Sequence, residues 1–167
     1  LSIARLASVP LLIIFAMRAQ ADAFLILLAI AFCSDGLDGY LARRFSWQTR
    51  LGAMLDSISD FAVYMSIPIC AWLLWPAVIR QEAFYVIAII CSIVMPVLYG
   101  LIKFGRVTSY HTWLTKIAAA AMALSSILLF LGGPVWLFRA AAMLCVLAAM
   151  EEIIVTSLLD QPKVNVK

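Results

Sequence analysis

Phe24 to Arg43 read FLILLAIAFCSDGLDGYLAR, and Arg50 to Asp60 read RLGAMLDSISD. Both are apolar runs that carry two aspartates where hydrocarbon would be expected. Asp35 and Asp38 are three residues apart and Asp56 and Asp60 four, so each pair projects from one face of its helix. Gly39 and Arg43 continue the first stripe, and Gly52 heads the second. The short link from Arg44 to Leu51 predicts antiparallel neighbours, with all four carboxylates converging on one cavity at the side of that link. A charge at bilayer depth costs ~2.5–3.5 kcal/mol on insertion scales, and clustered carboxylates raise one another's pKa. Four carboxylates without a histidine among them form a hard oxygen site, suited to Mg²⁺, Mn²⁺ or Ca²⁺ rather than zinc. Two divalent cations would neutralise them. Gly36, Gly39, Ala42 and Gly52 remove bulk, either for helix packing or for close approach of a flat ligand. Arg43 either clamps a phosphate beside the metals or anchors a basic helix end.

The rest of the chain says what solvent surrounds this cavity. Of the 167 residues 66% are hydrophobic and 13% charged, with a mean hydropathy of +1.08. Soluble domains are ~45–50% apolar and ~25% charged, and a domain of this size cannot hide the excess in its core. A soluble globule, a disordered chain, a disulfide scaffold and a nucleic-acid binder are excluded; the solvent is lipid. Apolar segments run over 1–18, 22–43, 53–79, 83–103, 113–132 and 134–159, broken by charged, proline or glycine residues. They are too long and too uniformly apolar for barrel strands. The expectation is an all-α integral membrane bundle of six transmembrane helices forming one domain over 1–167. Length excludes large transporters and receptors.

Arg5, Arg43, Arg44, Arg50, Lys103, Arg106, Lys116, Lys163 and Lys167 fall on one side of such a bundle, and only Arg18, Arg80 and Arg139 toward the other. By the positive-inside rule both termini, and the aspartate cavity, are expected to face the cytoplasm. Cys33, Cys70, Cys91 and Cys145 lie in apolar runs, form no CxxC, and read as small buried hydrophobes. The five tryptophans fall near helix ends, as an interfacial belt would. The chain begins at Leu1 already inside an apolar run, so a short upstream piece is expected.

The string Asp35-x-x-Asp38-Gly39-x-x-Ala42-Arg43, eight residues, Gly52, three residues, Asp56, three residues, Asp60 matches every specified position of the CDP-alcohol phosphotransferase signature. The chain is identified as resembling that family, and Leu1-Ser2-Ile3-Ala4-Arg5 resembles the family's L-[TS]-x-x-R opening. The resemblance implies transfer of a phosphatidyl group from a CDP-linked lipid, such as CDP-diacylglycerol, to an alcohol, with release of CMP. It implies that Asp35, Asp38 and Asp56 hold two Mg²⁺ or Mn²⁺ ions with Asp60 completing the site, and that Asp60 is the general base. Asp35, Gly39, Ala42, Arg43 and Gly52 would bind the CDP moiety. A homodimer in the inner or cytoplasmic membrane is implied as well. The chemistry also fits the residues alone: two metals can stabilise both ends of a displacement on a diphosphate, and an alcohol needs a base to take its proton.

Arg5, Lys103, Arg106 and Lys116 are the candidate acceptor contacts. Phe104 to Lys116 resembles the G-[KR]…W-x-x-K stretch of phosphatidylglycerophosphate synthases, although Ile117-Ala118-Ala119 follows the lysine where those enzymes have Lys-Thr. The basic groups favour a phosphorylated alcohol; positive-inside anchoring is their other reading. His111 reads as a surface residue. Glu151 or Glu152 either pairs with a pocket arginine, packs between helices or is solvated. A divalent-cation transporter or channel is the competing function, since intramembrane aspartates also mark ion paths. It would need polar residues through the whole bilayer, and the far halves of these helices are apolar. A prenyltransferase would require a larger bundle.

Overall fold

A computed structural model describes residues 2–45, 50–105 and 112–159; within them 2–4, 35–45, 50–58 and residue 60 are described as backbone alone. The elements are α1 (Ser2–Met17), α2 (Ala21–Phe45), α3 (Arg50–Leu74), α4 (Pro76–Gln81), α5 (Ala83–Phe104), α6 (Trp113–Phe130) and α7 (Val135–Leu158). No strand occurs among the described residues. The segment expected as one helix over 53–79 is divided, because Pro76 disfavours helical backbone at Trp75 and a separate short helix starts at the proline. The chain forms two compact units, Leu1–Gln81 and Glu82–Lys167.

In the first unit α1 packs on both α2 and α3. Arg5, Ser8, Leu12 and Ala16 are its buried face, at the spacing of one helical stripe. The ring of Phe24 meets that of Trp75 at 6.0 Å, and Phe32 meets Tyr64 at 6.2 Å. Contacts that advance along α2 while retreating along α3 make these helices antiparallel, as the short link predicts. The turn from α1 to α2 is closed by Gln20 N–H to Phe15 O at 2.9 Å and Ala19 N–H to Ala16 O at 3.1 Å. That is a Schellman turn with Ala19 at φ 53°, where glycine is usual.

In the second unit α7 is the helix on which α5 and α6 both pack. Ala141, Ala142, Ala148 and Ala149 are buried on it, and such small side chains let backbones approach closely. Glu82 bonds Arg139 at one end of the α5–α7 pair and Lys103 bonds the backbone of Thr156 and Ser157 at the other, so α5 and α7 run parallel. Thr112 meets Glu151, and Ala118 O lies 3.9 Å from Cys145 Sγ, so α6 runs antiparallel to α7. The α6–α7 turn needs both its glycines. Gly132 has φ 83°, and a Cβ on Gly133 would lie 2.7 Å from Leu128 O.

Among the described residues three helices, α5, α6 and α7, are long and apolar enough to cross a membrane, where six spans are expected from the sequence. In α1, α2 and α3 the apolar stretches found among the described residues are shorter: Arg5–Met17, Ala21–Ser34 and Phe61–Leu74. The charged residues of the aspartate motif occupy the remainder of α2 and α3. Along α5, Phe84, Ile87, Met95, Leu98 and Ile102 form an exposed apolar stripe, which suits a helix bathed in lipid.

Candidate active site

Asp35, Asp38, Gly39, Ala42 and Arg43 lie on the helical backbone of α2, and Gly52, Asp56 and Asp60 on that of α3. Their side chains lie outside the described residues. The backbone register nevertheless relates them to the core. On α2 the buried residues Phe24, Leu28 and Ala31 recur at spacings of four and three, and the same stripe continues through positions 35, 38 and 42. On α3 the buried residues Cys70, Ser66, Val63 and Ser59 define a stripe that continues through 56 and 52. Counting down the antiparallel pair from Phe32 opposite Tyr64, one residue per residue, brings positions 35–38 level with about 58–61, since both helices rise by the same amount per residue. Helix register thus sets positions 35, 38, 42, 52 and 56 in line with the two faces that the first unit buries, with 39, 43 and 60 one residue away from those lines.

Arg5 is the candidate acceptor contact that belongs to this unit, and it is 3% exposed on the buried face of α1. Counting back across the Arg18–Gln20 turn puts it level with about residue 33 of α2, at the height where the motif begins. Water-exposed cations seldom become this buried without a partner for their charge, and Arg5 does have an interaction in the structure.

The remaining candidates belong to the second unit. Lys103 differs from expectation. Its Nζ donates to Thr156 O at 3.0 Å and Ser157 O at 2.7 Å and lies 5.3 Å from the Phe104 ring. Carbonyls in the last turn of a helix have no intrahelical partner and carry the negative end of the dipole, so Lys103 caps α7. Lys116 is exposed on the first turn of α6, with Nζ 5.2 Å from the Trp113 ring centroid. Arg106 and His111 lie outside the described residues. Glu151, one of the two glutamates expected to pair with an arginine, to pack between helices or to be solvated, accepts at Oε2 from the Thr112 hydroxyl at 3.1 Å, a contact between α7 and the start of α6.

Two features escaped the sequence reading. One is the pair in which Arg139 Nε and Nη2 donate to Glu82 Oε2 and Oε1 at 2.9 and 2.8 Å, between residues 57 positions apart. No local pattern signals such a pair. The other is Thr112 as the N-cap of α6, whose hydroxyl accepts from Thr115 N–H. A threonine just before an apolar helical run is a recognised start signal and would have found it.

The donor set of the motif, four carboxylates on two adjacent helices, fits hard divalent cations. Among the described residues no group of three or more histidines, cysteines or acids could hold a metal, and the four aspartate side chains lie outside them. A family model described as CDP-alcohol phosphatidyltransferase matches residues 1–154. No curated protein and no solved structure matches the chain.

Proposed function

The chain belongs to the CDP-alcohol phosphatidyltransferase family, an enzyme family of phospholipid synthesis, and from that premise we propose the reaction and the residues that carry it. The donor is a CDP-linked lipid such as CDP-diacylglycerol. The acceptor is a small phosphorylated alcohol, in the manner of phosphatidylglycerophosphate synthases, and CMP leaves. Asp60 takes the proton of the acceptor hydroxyl. The freed oxygen attacks the lipid-bearing phosphorus, a new P–O bond forms, and the P–O bond to CMP breaks with its electron pair staying on CMP. A carboxylate within hydrogen-bond reach is the group an alcohol nucleophile requires.

Arg43 grips the diphosphate by its planar fork of donors. Gly39, Ala42 and Gly52 leave room for the cytidine, and Asp35 completes the nucleotide site. Arg5, Arg106 and Lys116 meet the phosphate of the acceptor. Asp35, Asp38, Asp56 and Asp60 would hold two Mg²⁺ or Mn²⁺ ions, which supply neutralisation of the charge that builds on the phosphoryl oxygens. The basic bias turns this site toward the cytoplasm from an inner or cytoplasmic membrane, and the chain works as a homodimer. The acyl chains remain in lipid while the head group reaches water, which is why a polar site is set in so apolar a chain.

The observation that carries this reading is the motif itself, all its positions met and all of them on the helical ends of α2 and α3. The test is purified full-length chain with labelled CDP-diacylglycerol, Mg²⁺, and a panel of glycerol 3-phosphate, inositol phosphate, serine and inositol. Asp60→Asn should cut CMP release by at least ~10²-fold, the usual contribution of a general base. Near wild-type release from that variant would remove Asp60 from its role. Transfer to serine or inositol alone would remove the phosphorylated acceptor.

A further inference from the structure

Glu151 lies seven residues before the end of α7 at Leu158, roughly 10 Å along the axis of a helix that rises ~1.5 Å per residue. α7 is apolar enough to span a membrane, and Ala148 and Ala149 beside Glu151 are buried. A carboxylate so placed is expensive, and mere adhesion between α6 and α7 would not need one, because the alanines already pack. The bond it makes shows its use. Glu151 Oε2 accepts from Thr112 Oγ1 at 3.1 Å. Thr112 has one hydroxyl proton, so in the 2.9 Å contact with Thr115 Oγ1 the donor is Thr115. Thr112 Oγ1 also accepts from Thr115 N–H at 3.2 Å, and Thr112 O accepts from Lys116 N–H at 3.3 Å. The first turn of α6 is thereby tied to Thr112, and Thr112 to one charged acceptor on α7. A carboxylate oxygen is a stronger acceptor than a neutral one, which suits a contact that ties one helix to the next.

We propose that Glu151 is a positioning residue: through the Thr112 hydroxyl it fixes the first turn of α6, and so sets where Lys116 presents its ammonium to the phosphate of the acceptor alcohol. This rests on the reading of Lys116 as an acceptor contact. Nothing in the reaction passes through Glu151. It acts on acceptor binding alone, through Thr112 and Lys116.

The experiment compares the full chain with Glu151→Ala, Glu151→Gln, Thr112→Val and Thr112→Ser in detergent micelles, with CDP-diacylglycerol as donor and glycerol 3-phosphate or inositol phosphate as acceptor. Losing a hydrogen bond to a charged group should raise the acceptor KM of Glu151→Ala and Thr112→Val about tenfold, with kcat and the donor KM changed by less than about twofold. Glu151→Gln keeps an oxygen that accepts from Thr112, and Thr112→Ser keeps the hydroxyl, so both should return the acceptor KM to within about threefold of wild type. An unchanged acceptor KM in Glu151→Ala or Thr112→Val overturns the inference. So does a parallel loss in both KM values, which would mark a structural role, or a Glu151→Gln variant as impaired as Glu151→Ala. If Glu151→Ala does not fold, Thr112→Val and Glu151→Gln decide the matter. A wild-type chain that transfers to no phosphorylated acceptor would fail at the proposed function, and the inference would fall with it. A chain active on such acceptors whose variants keep the wild-type KM would fail at the inference alone.

Discussion

Glu82 sits just before α5 with 4% of its surface exposed, and both its oxygens accept from Arg139. Arg139 also lies 5.5 Å from the Tyr85 ring. The hydrogen bonds from Arg139 hold the Glu82 carboxyl below its ordinary pKa, against a smaller opposite effect of burial. Its folded pKa is therefore lower than the unfolded one. The stability this adds is complete above the usual glutamate pKa of about 4.3 and disappears as pH falls through the lowered value. Thermal unfolding in micelles should show wild type melting above Glu82→Gln near neutrality, the gap closing as pH drops from about 5 toward 3. A gap independent of pH would mean that the charge on Glu82 does not matter. A second residue is held against its preference. Ala19 adopts φ 53°, a conformation that costs an L-residue ~1–2 kcal/mol and glycine almost nothing. After subtracting the extra freedom glycine has when unfolded, Ala19→Gly should stabilise the chain by roughly 0.5–1 kcal/mol, visible as a higher melting temperature.

Helices begin and end here for local reasons, and partners are chosen for distant ones. Pro76 separates α4 from α3, Thr112 opens α6, and Gly132 and Gly133 close the turn into α7. Each is readable in the chain, Pro76 to Glu82 as the punctuation that ends the apolar segment over 53–79. What Lys103 does is not readable. A basic residue after an apolar helix suits a positive-inside anchor, an acceptor contact or a cap equally, and only the carbonyls of Thr156 and Ser157, 53 and 54 positions away, select the cap. Lys103→Met should accordingly lower stability by about 0.3–1 kcal/mol, the usual worth of a cation at a helix C-terminus, and leave the KM for a phosphorylated acceptor unchanged. A raised acceptor KM without loss of stability would return Lys103 to the substrate site.

For the molecule as a whole the solvent is the governing fact. α5, α6 and α7 are long and apolar enough to span a bilayer, and Cys91 is exposed on the same side of α5 as Ile87 and Met95. In a chain whose other cysteines are replaced by serine or alanine, a water-soluble maleimide should leave Cys91 unlabelled in intact vesicles and label it once the protein is unfolded in detergent. Prompt labelling in vesicles would put that face in water. Membrane residence, helical class, family and the aspartate motif were all determined by the sequence alone, because each depends on composition or on short fixed spacings along the chain, and within each helix geometry converts spacings of three and four directly into faces. Tertiary structure alone decided that α5 runs parallel to α7, that Glu82 holds Arg139, that Lys103 caps α7 and that Glu151 answers to Thr112. These pairs join residues 39 to 57 positions apart, and at that separation no periodicity links one side chain to the other; only the packing of whole helices brings them within a hydrogen bond.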